Sequence, residues 1–85
     1  MKYLLIIQGD NSPELLERVL RVCRHRGFCM QNINAETTEN GKSLHITLTV
    51  HSQRAIGLLS KQLEKIFGIS QVAVLGQPEK LQASA

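Results

Sequence analysis

Cys23, His25 and Cys29 fall within seven residues, CRHRGFC. Two thiols and an imidazole this close together are the raw material of a zinc site, which would give the chain chemistry of its own. Zinc needs three or four converging ligands, however, and Cys-x-His-x-x-x-Cys lacks the spacing that brings a ligand pair to one ion. On a helix ending here, Cys23 falls on the apolar stripe and His25 on the polar side, so the two side chains diverge. The simpler reading is a helix stop. Cys23 then belongs to the core, and Arg24, His25 and Arg26 complement the negative end of the helix dipole. Gly27 takes the left-handed position and Cys29 is already in a strand.

The remaining reactive residues are no more suggestive. His45 and His51 alternate with Thr47 and Thr49, a strand pattern without a nucleophile, base and orienting group. The turn at Gly9 holds a single glycine and is no phosphate-binding loop. No catalytic, cofactor-binding or metal-binding residue is expected, and the chain is not expected to be an enzyme. One small-molecule candidate remains: Gly9, Asp10, Asn11 and Ser12 are small or polar and precede a helix whose free N–H groups favour a carboxylate. A plain cap by Ser12 explains the same residues.

The elements that position these groups follow from hydropathy. Residues 2–8, KYLLIIQ, are a short apolar run bounded by turn residues, the mark of a strand buried on both faces. Pro13 opens a helix over 13–26 whose stripe is Leu15, Leu16, Val19, Leu20, Val22 and Cys23, with Glu14, Glu17, Arg18, Arg21, Arg24 and His25 opposite. A second strand follows Gly27, and its change of phase around Gln31–Asn32 predicts a bulge. Glu39-Asn40-Gly41-Lys42 reads as a hairpin turn with Asn-Gly supplying positive φ angles, and SLHITLTVH as a third strand. Ser52 is expected to cap a second helix with the stripe Ala55, Ile56, Leu59, Leu63, Ile66 and Phe67, ended by Gly68. ISQVAVL (69–75) is the last strand.

The order βαββαβ predicts an α+β, ferredoxin-like domain over residues 1–76: a four-stranded antiparallel sheet with two helices on one face and the first and third strands central. Residues 77–85 read as a disordered tail. The uncovered sheet face, with Leu4 or Ile6 outward, calls for self-association or docking onto a larger protein.

Eighty-five residues make one domain of modest stability. The net charge of +3 is mild, and Tyr3, Phe28 and Phe67 are the only aromatics, too few on the open face to stack RNA bases. No apolar run is long enough for a membrane span, and MKYLLIIQGD lacks the cleavage site of a signal peptide. Two cysteines without a disulfide framework fit a reduced, cytoplasmic setting. Partners among nucleic acids or membranes are therefore not expected.

The runs SPELLERVLRVCRHRGFCMQNINAE, SLHITLTV and LLSKQLEKIFGISQVAV resemble the single-ACT-domain regulatory small subunits of acetolactate (acetohydroxyacid) synthase, nearest to the short isozyme II type. The likeness spans about residues 2–76, and its most telling piece is L-x-R-V-L-x-V-x-R-x-R-G-F at 16–28. It implies a non-catalytic subunit that dimerises through its ACT domain. Such a subunit binds and activates or stabilises the thiamine-diphosphate-dependent catalytic large subunit in valine, leucine and isoleucine biosynthesis. Thiamine diphosphate, magnesium and FAD would sit on that partner alone.

The resemblance also implies an amino-acid effector loop, here Gly9, Asp10, Asn11, Ser12 and Glu14, with Cys29 at the start of the second strand. Asn11 matches the family pattern. Glu14 replaces its glycine, and Cys29 stands where sensing members carry Asn, so valine feedback is expected to be weak or absent. Arg18, Arg21 and Arg24 are the expected partner-docking residues. The alternatives are a free-standing ACT-type amino-acid sensor and a small RNA-binding module.

Overall fold

A computed structural model describes residues 2–38 and 40–76. The six elements are β1 (Lys2–Asp10), α1 (Pro13–His25), β2 (Cys29–Thr37), β3 (Ser43–His51), α2 (Ile56–Glu64) and β4 (Ile69–Val74). The strands form one antiparallel sheet in the order β2-β3-β1-β4, with β1 and β3 central as their apolar patterns require. This is the expected ferredoxin-like arrangement. The expected tail at 77–85 lies outside the described residues.

β1 pairs with β3 without interruption from Lys2–His51 to Asp10–Ser43. Leu5 and Ile7 alternate inward on one strand, and Leu44, Ile46, Leu48 and Val50 on the other. They meet Leu15, Val19 and Cys23 of α1 and Leu59 and Leu63 of α2. Period two on the strands and period 3.6 on the helices thus meet in a single core layer. α1 packs on the β2 side of the sheet and α2 on the β4 side.

The helix stop at CRHRGFC is visible bond by bond. Phe28 N–H donates to the Cys23 carbonyl at 2.9 Å and Gly27 N–H to the Arg24 carbonyl at 3.1 Å, while Gly27 sits at φ 80°. These are the two bonds of a Schellman ending, and the buried Phe28 and Cys23 supply its apolar contact. The predicted bulge is also present, as a register shift between Met30 and Asn32.

Several local expectations are corrected. Gly9 and Asp10 continue β1 instead of turning, because they pair with Leu44 and Ser43 of β3. Ser12 occupies the N-cap position of α1 without a side-chain cap, and the Leu15 N–H reaches the Ser12 carbonyl instead, at 3.2 Å. Ser52 does not cap α2 either. It is buried, and its Oγ accepts from the Arg54 N–H at 3.0 Å, closing a turn before a helix that starts only at Ile56. At the other end α2 stops at Glu64, so Phe67 falls out of helical phase and is 86% exposed, not part of the stripe; Ala55 is exposed as well.

In the β2–β3 hairpin only Gly41, at φ 72°, is left-handed among the described residues. The Asn40 side chain serves the turn differently, with Oδ1 accepting from Thr38 Oγ at 2.7 Å and Lys42 N–H at 3.0 Å.

Gly9 shows how tightly the β1 end is built. A Cβ there would lie 2.6 Å from the Gly68 carbonyl oxygen and 2.8 Å from a Leu15 methyl, closer than atoms can stand. Gly9→Ala is expected to lower the unfolding free energy by about 2 kcal/mol in urea titrations, the scale of forced core overpacking. A loss under about 0.5 kcal/mol would mean that β4 moves aside freely.

Candidate functional site

The sheet has two ends, and the candidate effector residues are divided between them. At the hairpin end, the Asp10 N–H donates to the Gly68 carbonyl at 2.8 Å, and Asn11 spans to the β2–β3 turn. The Asn11 backbone N–H donates to the Lys42 carbonyl at 3.1 Å and its Nδ2 to the Gly41 carbonyl at 2.9 Å. The side chain that would greet a ligand is therefore engaged in joining two loops. Gly9 is buried, Ser12 half-buried, and Glu14 stands exposed in the first turn of α1. An incoming carboxylate would meet a carboxylate there, in the place where the helix dipole would otherwise attract it.

Cys29 lies at the opposite end, paired with His51 across from Lys2. The length of β2, about 25 Å at strand rise, separates it from the loop. Gly9, Asp10, Asn11, Ser12 and Glu14 come together in one chain, and Cys29 does not join them.

Arg18, Arg21 and Arg24 are all exposed on α1, and Arg21, Arg24 and His25 line a shallow hollow of about 350 Å³. Sequence reasoning missed Arg54, whose guanidinium packs over Gly27: a Cβ on that glycine would stand 2.8 Å from Arg54 Nε. The signal was the topology itself, since an antiparallel β1–β3 pair followed by a loop must return residues near 54 to the end where α1 stops.

The open face of the sheet carries Leu4 and Ile6, both half-buried, beside Thr47 and Thr49. Tyr3 turns to the helix side and packs against the core, so among the described residues no Phe, Tyr or Trp stands on the open face, where His45 and His51 share the side of Thr47 and Thr49. The base-stacking platform of an RNA-binding module is absent from these residues.

At the β2 edge, Ile33 is 38% exposed on the helix side, and Met30 of the same strand and Leu16 and Leu20 of the adjoining α1 are half-buried. Leu20, Arg24 and Met30 line a second hollow of about 320 Å³.

Among the described residues no group of three or more His, Cys, Asp or Glu could hold a metal ion, and no helix is long and apolar enough to cross a membrane. Both cysteines are free, Cys23 buried and Cys29 exposed. Burial pushes the Cys23 thiol up to about 11, partly offset by a backbone hydrogen bond. A thiol whose folded pKa is raised releases its proton more easily when unfolded. Its contribution is therefore complete below the unfolded value near 9 and is lost as the pH climbs toward 11. Unfolding free energy should fall through that window by roughly 2 kcal/mol more in the native sequence than in Cys23→Ala, as followed by urea titration. In the folded protein a disulfide reagent at pH 8 should modify Cys29 promptly and Cys23 only on unfolding. Equal rates would contradict this assignment.

The family model for the ACT domain matches residues 11–72. The chain is 39% identical over 74 residues to the small subunit of acetolactate synthase isozyme 2 from Escherichia coli strain K12, covering 87% of this chain and 85% of that protein. Among solved structures it is similar to the ACT domain of a GTP pyrophosphokinase from Chlorobium tepidum, with TM-score 0.76, 14% identity, and 88% and 97% of the two chains covered. It is also similar to the acetolactate synthase small subunit from Thermotoga maritima, with TM-score 0.74, 20% identity, and 87% and 47% covered. The two structural likenesses establish the fold. The breadth of the sequence match carries the assignment further, and the chain belongs to the ACT-domain family, in the branch of the acetolactate synthase small subunits.

Proposed function

We propose that this chain is the non-catalytic regulatory subunit of an acetolactate synthase, working by contact with the catalytic large subunit. The observation that carries the reading is the 39% identity running through nearly the whole of a protein that is itself a small subunit of that enzyme. In this reading thiamine diphosphate, magnesium and flavin stay with the partner, in the cytoplasm, and the small chain stabilises the partner's active form.

A second copy is the first partner the fold suits. β2 is a nine-residue edge strand, and α1 lies on the same side of the sheet. Antiparallel pairing of two β2 edges would extend the sheet and bury Ile33, Leu16, Leu20 and Met30 against their copies. It would also set Cys29 of one chain beside the Asn11–Glu14 loop of the other, completing the effector set across the seam. With Glu14 and Cys29 in place of better ligand partners, that seam should hold valine weakly or not at all.

Adding the purified chain to an acetolactate synthase catalytic subunit should raise acetolactate formation severalfold in a fixed-time assay. An unchanged rate over a full titration would refute the reading. Leu20→Glu should raise the dissociation constant of the homodimer roughly tenfold or more in sedimentation experiments, as expected for a charge placed in a buried apolar contact. Calorimetric titration with millimolar valine should give no saturable heat; tight binding would contradict the roles given to Glu14 and Cys29.

A further inference from the structure

The charges of this domain are sorted by position. Every described carboxylate lies toward the hairpin end: Asp10 closes β1, Glu14 and Glu17 sit in the first half of α1, Glu36 is opposite His45, and Glu64 ends α2. Lys42, Lys61 and Lys65 are interspersed with them. The other end holds Lys2, Arg21, Arg24, Arg26 and Arg54, with His25 and His51, and no described carboxylate.

These groups come from separate elements. Lys2 and His51 are cross-strand partners, Arg21, Arg24 and His25 line one hollow, and Arg54 reaches over Gly27. A mild net charge of +3 thus conceals one strongly basic pole. The arginine side chains in it are exposed.

Resting on the regulatory-subunit reading, we infer that this pole is the surface that docks on the catalytic subunit, and that the surface it meets is acidic. Arginine suits the task because its planar guanidinium makes paired bonds to carboxylates. Like charges gathered at one end steer an acidic partner to that end and repel misdocked orientations. A protein partner fits better than a nucleic acid, because the pole presents no Phe, Tyr or Trp for base stacking and its rings are the imidazoles of His25 and His51: Phe28 and Tyr3 face the core and Phe67 follows α2 at the far end. The carboxylate-bearing pole of the same chain is left free for other contacts.

The test is the concentration of this chain that half-saturates activation of the catalytic subunit. Arg21→Glu/Arg24→Glu should raise it roughly tenfold or more, and Arg21→Gln/Arg24→Gln by less. Lys61→Glu/Lys65→Glu, an equal change of charge at the other pole, should leave it within about twofold. Raising salt from about 50 to about 500 mM should weaken the native chain and affect the Glu variant much less. Circular dichroism checks that each variant is folded, and the Gln pair, which adds no repulsion, carries the test if the Glu pair unfolds. If the native chain activates and the two poles respond alike, the pole assignment falls while the regulatory reading stands. If the native chain does not activate, the regulatory reading falls first and takes the pole with it. Saturable binding of single-stranded RNA that is lost in the Arg21/Arg24 variants would also overturn the inference.

Discussion

Two helices are enough to cover one face of four strands, and none of the described residues covers the second. This asymmetry governs the molecule. The uninterrupted β1–β3 ladder carries large aliphatic side chains into a single layer under α1 and α2. On the other face the same β1 turns Leu4 and Ile6 outward among threonines. The core is buried and closed on one side, while among the described residues the β2 edge and the open face are left uncovered. A domain of this kind has little interior in which to build a catalytic pocket, and ample surface with which to hold another protein.

The same constraint explains why the loops are tied so closely. With only one core layer, the ends of the sheet must be fixed by hydrogen bonds and close packing. Gly9 therefore admits the Gly68 carbonyl, Asn11 binds the hairpin turn, and Arg54 lies over Gly27. Residues that suggest a ligand site when seen in sequence are largely spent on holding the two ends together. The burial of Cys23 belongs to the same economy, since a small apolar thiol fits the α1–sheet contact without demanding a strong partner.

Much of this could be read beforehand, for identifiable reasons. Strand alternation in SLHITLTVH, the stripe of α1 and the glycine at 27 are local signals, and the structure repeats them residue by residue. The β2 bulge was legible because the alternation changes phase within a few residues. What failed was capping and helix length around α2. Ser52 lies beside a better use, the Arg54 N–H, and Phe67 continues an apolar period that the backbone abandons after Glu64. At the candidate site the residue types were visible but their distances were not. Cys29 and Asn11 fall in one expected effector set when the resemblance is read along the sequence, and at opposite ends of the sheet in one chain in space. The basic pole was half seen, because its α1 members are contiguous in sequence while Lys2 and Arg54 arrive only through the fold.

The central claim is that this domain is finished by association. Amide hydrogen exchange, measured over a concentration series and again with excess catalytic subunit, tests it most directly. The account predicts that the central β1 and β3 amides are protected throughout, while the outward amides of Cys29–Thr37 slow as partners are supplied. Exchange across β2 that ignores both concentration and the catalytic subunit, in a chain that stays monomeric, would contradict it.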